Sequence, residues 1–140
     1  MSAIIEADII ENPHGDVIEQ GESKNVTITW TGANAAQTQT VHLYRIGQLV
    51  HISTSWLTGP ANTGVAATYA GTAIPNTLWP SHDVHIPTAV LDTATYSMGD
   101  LTISATDGTL NVGKGVNPTH ANFTVGQTSA FHIHGNYILG

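Results

Sequence analysis

Hydrophobic and polar residues alternate along most of the chain from Asn25 onward. The pattern is clearest in three segments, NVTITW (25–30), TVHLYRI (40–46) and QLVHISTSW (48–56). A period of two is typical of β-strands that bury one face of a sheet. Because Gly47 separates the last two segments, they are predicted to form a β-hairpin. The alternation leaves open whether His42 and His51 face the core, a contact between subunits or solvent.

Further strand and turn signals follow in the second half of the chain. The segment LTISATDGTLNVG alternates on both sides of Asp107 and Gly108, a dipeptide that favours a tight hairpin turn. The terminal segment ANFTVGQTSAFHIHGNYILG (121–140) is predicted to supply two more strands, separated by Gly126 and Gln127.

The number and spacing of these signals indicate the fold class. They predict about seven to nine short strands at intervals of roughly 8–12 residues, with no convincing helix in the body. Pro80 and Pro87 bracket a segment that is not expected to be a central strand, because proline cannot donate a hydrogen bond to a neighbouring strand. We therefore predict an all-β fold, an antiparallel jelly-roll β-sandwich.

The first 24 residues differ from the rest of the chain in their charge. They carry six of the ten acidic residues, and the helix-breaking run Asn12-Pro13-His14-Gly15 interrupts their apolar pairs. A short helix and an extended arm both fit this pattern. We predict an acidic N-terminal arm or linker over residues 1–24 and a head domain over residues 25–140.

Composition and charge exclude several classes of partner. Only 9% of the residues are charged, 41% are hydrophobic, and the formal net charge is −7. Three basic residues cannot neutralise a row of phosphates, so we expect no nucleic-acid partner. The sequence shows neither a signal peptide nor an apolar run of about 18 residues, so no membrane insertion is expected. The absence of cysteine excludes disulfides and thiolate metal sites.

Five motifs occur in order over residues 38–140. They are V-x-L-x-R-I-G-x-x-V (41–50), I-P-x-x-L-W-P (74–80), H-I-P (85–87), L-T-I-S-x-x-D-G-x-L-x-V (101–112) and G-N-Y-I-L (135–139). In this order and spacing the chain resembles the C1q/TNF-like jelly-roll head domains of viral surface proteins, namely phage tail fibres and capsid or fibre proteins of large DNA viruses. The Thr/Ala-rich segment before Leu78 and the eight histidines depart from the family pattern.

The resemblance implies an assembly and a function. It implies a homotrimer of ten-stranded jelly rolls, with the terminal strand near the threefold axis and variable loops at the tip. It also implies a structural surface component of a virus particle that mediates host attachment by binding a host receptor or glycan. On this interpretation the N-terminal arm contacts other virion proteins, the chain lies on the virion surface, and it is not an enzyme.

Three apolar residues at the chain end are the candidate trimer interface. Tyr137, Ile138 and Leu139 occur where a monomer would usually fray. Contact with neighbouring subunits would bury their side chains and stabilise the chain end.

His132 and His134 are the candidate metal ligands. Two residues apart on a strand, their imidazoles are expected to point to one face, an arrangement that suits a divalent metal. Because no carboxylate lies close in sequence to orient these rings, packing or hydrogen bonding within the strand is the alternative. No other cofactor is expected.

Four residues are candidates for a binding site at the tip. Trp56 and Tyr69 fall at strand ends or in loops, where aromatic rings stack on sugars or anchor a protein, although core packing fits them equally. His82 and His85 flank Asp83 in a segment that suits a metal site, a pH-sensitive contact or a plain surface loop.

Two other functions remain open at this point. A cellular carbohydrate-binding or adhesin domain would use the same aromatic residues. A metal-dependent protein or cupin-like enzyme would use the histidines. The sequence has no G-x-S-x-G motif for a nucleophile and no glycine-rich phosphate loop, so catalysis is not expected.

Overall fold

The computed structural model describes residues 9–11, 17–19, 21–33, 35–60, 68–115 and 122–140, the first two ranges by their backbone alone. In the described residues it contains twelve β-strands and a 3-10 helix at Asn76–Leu78. No helix in this part of the chain is long and apolar enough to span a membrane.

Ten of the strands form one antiparallel sheet. They are β3 (Glu22–Thr31), β4 (Gln37–Ile46), β5 (Leu49–Thr54), β6 (Leu57–Pro60), β7 (Tyr69–Gly71), β8 (Val84–Asp92), β9 (Thr95–Ile103), β10 (Leu110–Lys114), β11 (Thr128–His132) and β12 (His134–Ile138). The order across the sheet is β12-β5-β4-β3-β7-β10-β9-β8-β11-β6. The all-β antiparallel fold class is thereby confirmed, and the strands slightly outnumber the expected seven to nine.

A separate two-stranded sheet precedes the body. It pairs β1 (Ile9–Glu11) with β2 (Val17–Glu19) in antiparallel fashion. Both strands fall within the predicted arm, and the rest of residues 1–20 lies outside the described residues. The ten-stranded sheet starts at Glu22, inside the predicted arm rather than at Asn25.

The large sheet curls so that its two halves face each other across one core. Trp30 of β3 meets Phe131 of β11 edge to face, with ring centroids 4.8 Å apart. Gly135 of β12 approaches Ile86 of β8 so closely that a Cβ at Gly135 would lie 2.4 Å from Ile86. Buried apolar side chains from both halves form a single cluster. Two layers around one core are the arrangement of a β-sandwich or jelly roll.

Both predicted hairpins are present. β4 and β5 pair around Gly47, whose φ of 57° favours glycine. β9 and β10 pair through a longer connection than a two-residue turn, from Ser104 to Thr109. Gly108 in this connection has a φ of 71°, and a Cβ there would lie 2.0 Å from Nε1 of Trp79. Glycine is therefore required at this position for two reasons, its backbone conformation and its contact with the indole.

The β8–β9 turn is tied to the rest of the head by a buried carboxylate. Asp92 accepts hydrogen bonds from Nζ of Lys114 at 2.7 Å and from the backbone nitrogen and hydroxyl of Thr124. Burial by itself would raise the pKa of Asp92, but these hydrogen bonds and the Lys114 charge hold that pKa below its usual value. The turn residues Thr93 and Ala94 both have positive φ, of 49° and 64°. The hydrogen bonds of Asp92 therefore stabilise a turn in which two residues have a positive φ, a conformation that glycine or asparagine usually adopts.

Two predictions about strands are wrong in part. Pro87 lies inside β8, which is an internal strand in the order of the sheet. β11 pairs with β8 only from Ala89 onward, so Pro87 occupies a stretch that β11 leaves unpaired. The turn at Gly126 is present, but both terminal strands follow it, and Ile133 rather than Gly126 separates them.

Candidate binding surface

Five aromatic and imidazole rings form a continuous row across the outside of the sandwich, which we term the ring band. In spatial order they are Tyr96, Trp56, His132, His134 and His51. Each ring contacts the next, although the residues are far apart in the sequence. Every member is exposed or half-buried, so the band is a surface feature rather than part of the core.

Trp56 lies at the centre of the aromatic end of the band. Its indole stacks on the imidazole of His132, with centroids 5.3 Å apart and planes inclined by 25°, and meets Tyr96 edge-on at 6.2 Å. Trp56 is 47% exposed and Tyr96 72% exposed. Ala89 lies opposite both His132 and Met98, so a small side chain separates these two residues on the outer face. Trp56, Tyr96 and His132 therefore form an exposed aromatic platform.

The backbone around Ile133 positions the two neighbouring histidines. At Ile133 the chain passes from β11 in one half of the sheet to β12 in the other. Thr54 fixes this crossing, because its backbone nitrogen donates to the carbonyl of Ile133 and its hydroxyl accepts from the backbone nitrogen of Ile133. Ile133 is fully buried, so His132 and His134 both lie on the outside. Their rings are parallel within 2°, with centroids 6.5 Å apart.

The other end of the band lies on the outer face of β12, β5, β4 and β3. His134 contacts His51 edge-on, with centroids 4.9 Å apart. Ser53 lies opposite His134 on one side and opposite His42 on the other. The three histidines thus surround one serine on the outer face of the sheet, and we term them the imidazole cluster.

Asparagine side chains orient two rings of the imidazole cluster. Nδ1 of His42 donates to Oδ1 of Asn25 at 2.6 Å, and Nδ1 of His51 donates to Oδ1 of Asn136 at 2.9 Å. An amide oxygen can only accept, so both rings carry a proton on Nδ1.

Charged residues are absent from this outer face within the described strands. The outward positions of β3, β4, β5 and β12 hold only threonine, serine, asparagine, histidine, tyrosine, isoleucine and leucine. One row of them is apolar, with Ile46 opposite Leu49 and Leu49 opposite Ile138. These three side chains are 45–57% exposed. In a chain with a net charge of −7, such a face suits contact with a partner.

Comparisons with known proteins bear on the fold. No family model matches the chain, and no curated protein does either. The fold is similar to that of a viral attachment protein. The crystal structure of the reovirus attachment protein sigma1 in complex with alpha-2,3-sialyllactose gives a TM-score of 0.52 at 11% sequence identity. The match covers 99% of this chain and 78% of that one. It supports the β-sandwich architecture and leaves the C1q/TNF-like assignment a prediction.

Of the two aromatic tip candidates, Trp56 is exposed in the ring band and Tyr69 is not. Tyr69 is only 1% exposed and packs against Phe123 and Phe131. Its hydroxyl donates to the carbonyl of Gly59 at 3.0 Å and contacts the hydroxyl of Ser129. Burial raises the pKa of Tyr69. The prediction of a binding role for Tyr69 is therefore wrong, because its ring fills the core.

The histidine tip candidates lie outside the ring band. Nδ1 of His85 lies 3.1 Å from Oδ2 of the buried Asp100 and 3.2 Å from the hydroxyl of Thr102. Nδ1 of His82 lies 3.0 Å from the hydroxyl of Ser81. The two imidazoles therefore contact different residues, His82 contacting Ser81 and His85 contacting Asp100 and Thr102.

Asp83, which lies between these two histidines in the sequence, contacts a different segment of the chain. It accepts a hydrogen bond from the backbone nitrogen of Ala105 at 2.8 Å. Among the described residues, no group of three or more metal-ligating side chains lies together. The structure therefore does not assemble a metal site from His82, Asp83 and His85, and the metal site on His132 and His134 stays a prediction.

The three candidate interface residues have different environments. Tyr137 is 4% exposed, and its hydroxyl donates to the carbonyl of Leu78 at 2.8 Å. Leu139 packs against the core and bonds through its backbone to Gln48 and Ser81. Ile138 is 57% exposed. Of the three, Tyr137 is a core residue of the chain, so its ring does not reach an interface, and Ile138 keeps the exposure that the prediction requires.

Proposed function

We propose that this chain is the receptor-binding head of a virus attachment protein and that it recognises a glycan through the aromatic platform. The observation that carries the proposal is the exposed stack of Trp56 on His132, on a fold shared with an attachment protein whose crystal structure contains sialyllactose. Virion-surface localisation follows from the same proposal. A cellular adhesin would also bind glycans through Trp56, and capsid or tail genes beside the coding gene would separate the two.

The chemistry of the platform suits a sugar. A pyranose ring has an apolar face of C–H groups and a rim of hydroxyls, and an exposed indole offers a flat apolar surface of matching kind. His132 stacks on Trp56, and the exposed Thr58 follows Trp56 by two residues at the start of β6, so both supply hydrogen-bonding groups near the indole. Few charged residues surround the platform, so hydroxyl-rich ligands fit it better than polyanions.

We propose that three copies of the head assemble and multiply a weak contact. The apolar row of Ile46, Leu49 and Ile138 supports a contact between copies, because copies with equal negative charge approach best through an uncharged face. Three linked binding sites raise the overall affinity without any new contact. The N-terminal arm would join the head to other virion proteins.

The proposed activity is binding without catalysis or a cofactor. The ring band presents ring faces and imidazole nitrogens, and these groups suffice to hold a ligand. Elemental analysis of the purified protein is the direct check, since stoichiometric zinc, copper or nickel would favour the metal site on His132 and His134 instead.

The proposal is tested by screening the purified chain on a glycan array and then titrating the glycans that give a signal. Trp56→Ala is expected to lower the affinity for them at least about tenfold, as for an aromatic residue at the centre of a contact. Val125→Ala is the matched control, because Val125 is equally exposed at 47% but lies outside the ring band. Equal binding by both variants, or no binding by the unmodified chain, would overturn the proposal.

A further inference from the structure

We propose that the two-stranded sheet of one copy, β1 with β2, docks on the apolar row of a neighbouring copy, so that each head donates its N-terminal sheet to the next. The inference rests on the proposed assembly of three copies, and it adds the segment that joins them. The partner of the row Ile46, Leu49 and Ile138, whose side chains are 45–57% exposed, is then a second copy of this chain.

The β1–β2 sheet has no third strand among the described residues. Its strands pair with each other and form a sheet separate from the ten-stranded one. A two-stranded sheet alone is marginally stable in water, and packing against a further apolar surface is what stabilises it. The β1–β2 sheet therefore needs a surface on which to pack.

The sequence of the two strands suits an apolar surface. Four of their six residues are isoleucine or valine, and the other two are glutamates. Ile10 and Ile18 occupy directly opposite positions in the register, and Glu11 and Glu19 occupy the alternating positions. Successive positions of a strand belong to opposite faces of a sheet. One face of the small sheet thus combines two isoleucine positions and no acidic position.

The apolar row offers a matching surface. Ile46 is opposite Leu49, and Leu49 is opposite Ile138, so the three side chains cross the neighbouring strands β4, β5 and β12 at one level. The outward positions of these described strands hold no carboxylate, so Glu11 and Glu19 would meet no like charge on this face. Exposed apolar patches of this kind mark sites of contact between proteins.

The chain enters the head beside this row. β3 begins at Glu22, which is opposite Arg45, the residue before Ile46. Gly21 lies against the ring of Tyr44, an outward residue of β4, and a Cβ at Gly21 would overlap that ring. Glycine is therefore required where the chain passes Tyr44. The donor segment and the acceptor row thus belong to the same end of the outer face.

The short connection between β2 and β3 favours the row of a neighbouring copy over the row of the same chain. Only two residues separate the strands, so the end of β2 lies at most about 11 Å from the start of β3. Stacked sheets are about 10 Å apart, and rising above its own head would use nearly all of this length. β12 lies three strands away from β3 in the sheet, beyond the reach of a three-residue strand. In the chain itself the row remains exposed.

Exchange of this kind closes a ring of copies. Each copy has one donor sheet and one acceptor row, and these are different surfaces. A contact between two different surfaces repeats from copy to copy and forms a ring when the rotation closes. In a closed ring of three, every sheet and every row has a partner, whereas an open dimer leaves one of each without a partner.

Cross-linking in the full chain tests the contact directly, because the chain contains no cysteine. The double variant Ile18→Cys/Leu49→Cys is treated with a flexible bis-maleimide, which joins two thiols, and is then analysed on a denaturing gel. The expected products are linked copies at two and three times the chain mass of 14.7 kDa. A link within one chain, identified by mass spectrometry, would show that the sheet covers its own row and would overturn the exchange. The absence of any link would overturn the docking.

Two kinds of control accompany the cross-linking. Ile18→Cys/Val125→Cys is the matched variant, because Val125 is 47% exposed but does not belong to the row, and it should give no product between copies. The single variants Ile18→Cys and Leu49→Cys should each stay at the monomer mass on the gel. Dimers of either single variant would show that like surfaces meet each other, and they would overturn the docking of the sheet on the row.

A charge in the donor strand separates this inference from the proposed function. Ile18→Lys is expected to have the monomer mass in light scattering, while its affinity for a monovalent glycan changes less than about twofold, since β2 and the aromatic platform share no residue. A trimer that persists in Ile18→Lys would overturn the exchange and leave the glycan site in place. Failure of the unmodified chain to bind glycans through Trp56 would overturn the glycan site and leave the cross-linking result in place. A monomeric unmodified chain would overturn the assembly and the exchange together.

Discussion

The indole of Trp56 lies against the imidazole of His132, with ring centroids 5.3 Å apart and planes inclined by 25°. Trp56 nevertheless remains 47% exposed. One side of the indole is therefore held by the protein while surface remains for a ligand. A side chain that is already fixed loses less conformational entropy on binding than a free one. This relationship is the reason for placing Trp56 at the centre of the proposed glycan contact.

Truncation of Tyr96 is expected to weaken glycan binding without weakening the fold. Tyr96 is 72% exposed and supports Trp56 edge-on. For Tyr96→Ala we expect an affinity loss of about three- to tenfold and a change in the free energy of unfolding within about 0.5 kcal/mol. Calorimetric titration and urea denaturation measure the two quantities. A clear loss of stability with full affinity would show that Tyr96 is structural.

Removal of the Tyr69 hydroxyl is expected to have the opposite result. Tyr69→Phe loses the hydrogen bond to the carbonyl of Gly59 and the contact with Ser129. The free energy of unfolding should fall by about 1–2 kcal/mol, while glycan affinity stays the same. A drop in affinity without a drop in stability would return Tyr69 to the binding site.

The same residue predicts a loss of stability at alkaline pH. Burial raises the pKa of Tyr69 in the folded state, so the unfolded chain releases this proton first. The stabilising contribution is complete below the unfolded pKa of about 10 and is lost as the pH rises toward the folded pKa. Urea denaturation between about pH 8 and pH 11 should show a smaller alkaline loss for Tyr69→Phe than for the unmodified chain.

Asp92 is expected to contribute to stability near neutral pH and to lose that contribution in acid. Asp92→Asn removes the charge that accepts hydrogen bonds from Lys114 and Thr124, at a side chain only 2% exposed. We expect the free energy of unfolding to fall by about 2–4 kcal/mol near pH 7. Glu22→Gln is a control, because Glu22 is largely exposed in its pair with Lys24 and should change stability by less than about 0.5 kcal/mol.

The pH dependence of this effect has a defined sign. The folded pKa of Asp92 is lowered, so its contribution is fully present above the unfolded pKa of about 3.9. It is lost as the pH falls through the folded pKa, because the unfolded state then binds the proton more readily. The stability difference between the unmodified chain and Asp92→Asn should therefore shrink below about pH 4. A constant difference down to about pH 2 would contradict the lowered pKa.

A charge in the apolar row is expected to dissociate the proposed trimer. Ile138 is opposite Leu49, which is opposite Ile46, and all three are exposed. The unmodified chain should have three times its mass of 14.7 kDa in size-exclusion chromatography with light scattering, and Ile138→Lys should have the monomer mass. Val125→Lys should remain trimeric. A monomeric unmodified chain would refute the trimer, and a trimeric Ile138→Lys would move its interface elsewhere.

Local features of the fold could be predicted from the sequence. The turn at Gly47 and the hairpin that contains Gly108 follow from glycine next to alternating residues, and both signals act within about a dozen residues. The position of Pro87 could not be predicted, since its place in an internal strand depends on where β11 stops pairing. The point at which β11 stops pairing with β8 is set by how the strands pair in the folded sheet and not by the local strand propensity of residues around Pro87.

The candidate site depended even more on register. A period of two separates the faces of a strand but does not say which face is buried. Tyr69 and Tyr137, candidates for a tip contact and for a subunit interface, therefore both fill the core, whereas Trp56 is exposed and its role in binding stays a prediction. Tyr96 and Asn136 gave no signal of their own. They join the site because the sheet brings β9 and β12 beside residues far away in the sequence.

The most direct test of the glycan contact uses the three tryptophan indole signals in one NMR titration. Trp30 donates its indole hydrogen to Gln39 in the core, Trp79 donates to the carbonyl of Ile74, and Trp56 lies in the ring band. The titrant is the glycan with the strongest array signal, with 3′-sialyllactose as the first probe. The account predicts that the Trp56 signal shifts to saturation while the Trp30 and Trp79 signals stay in place. An unmoved Trp56 signal at saturating glycan would contradict it.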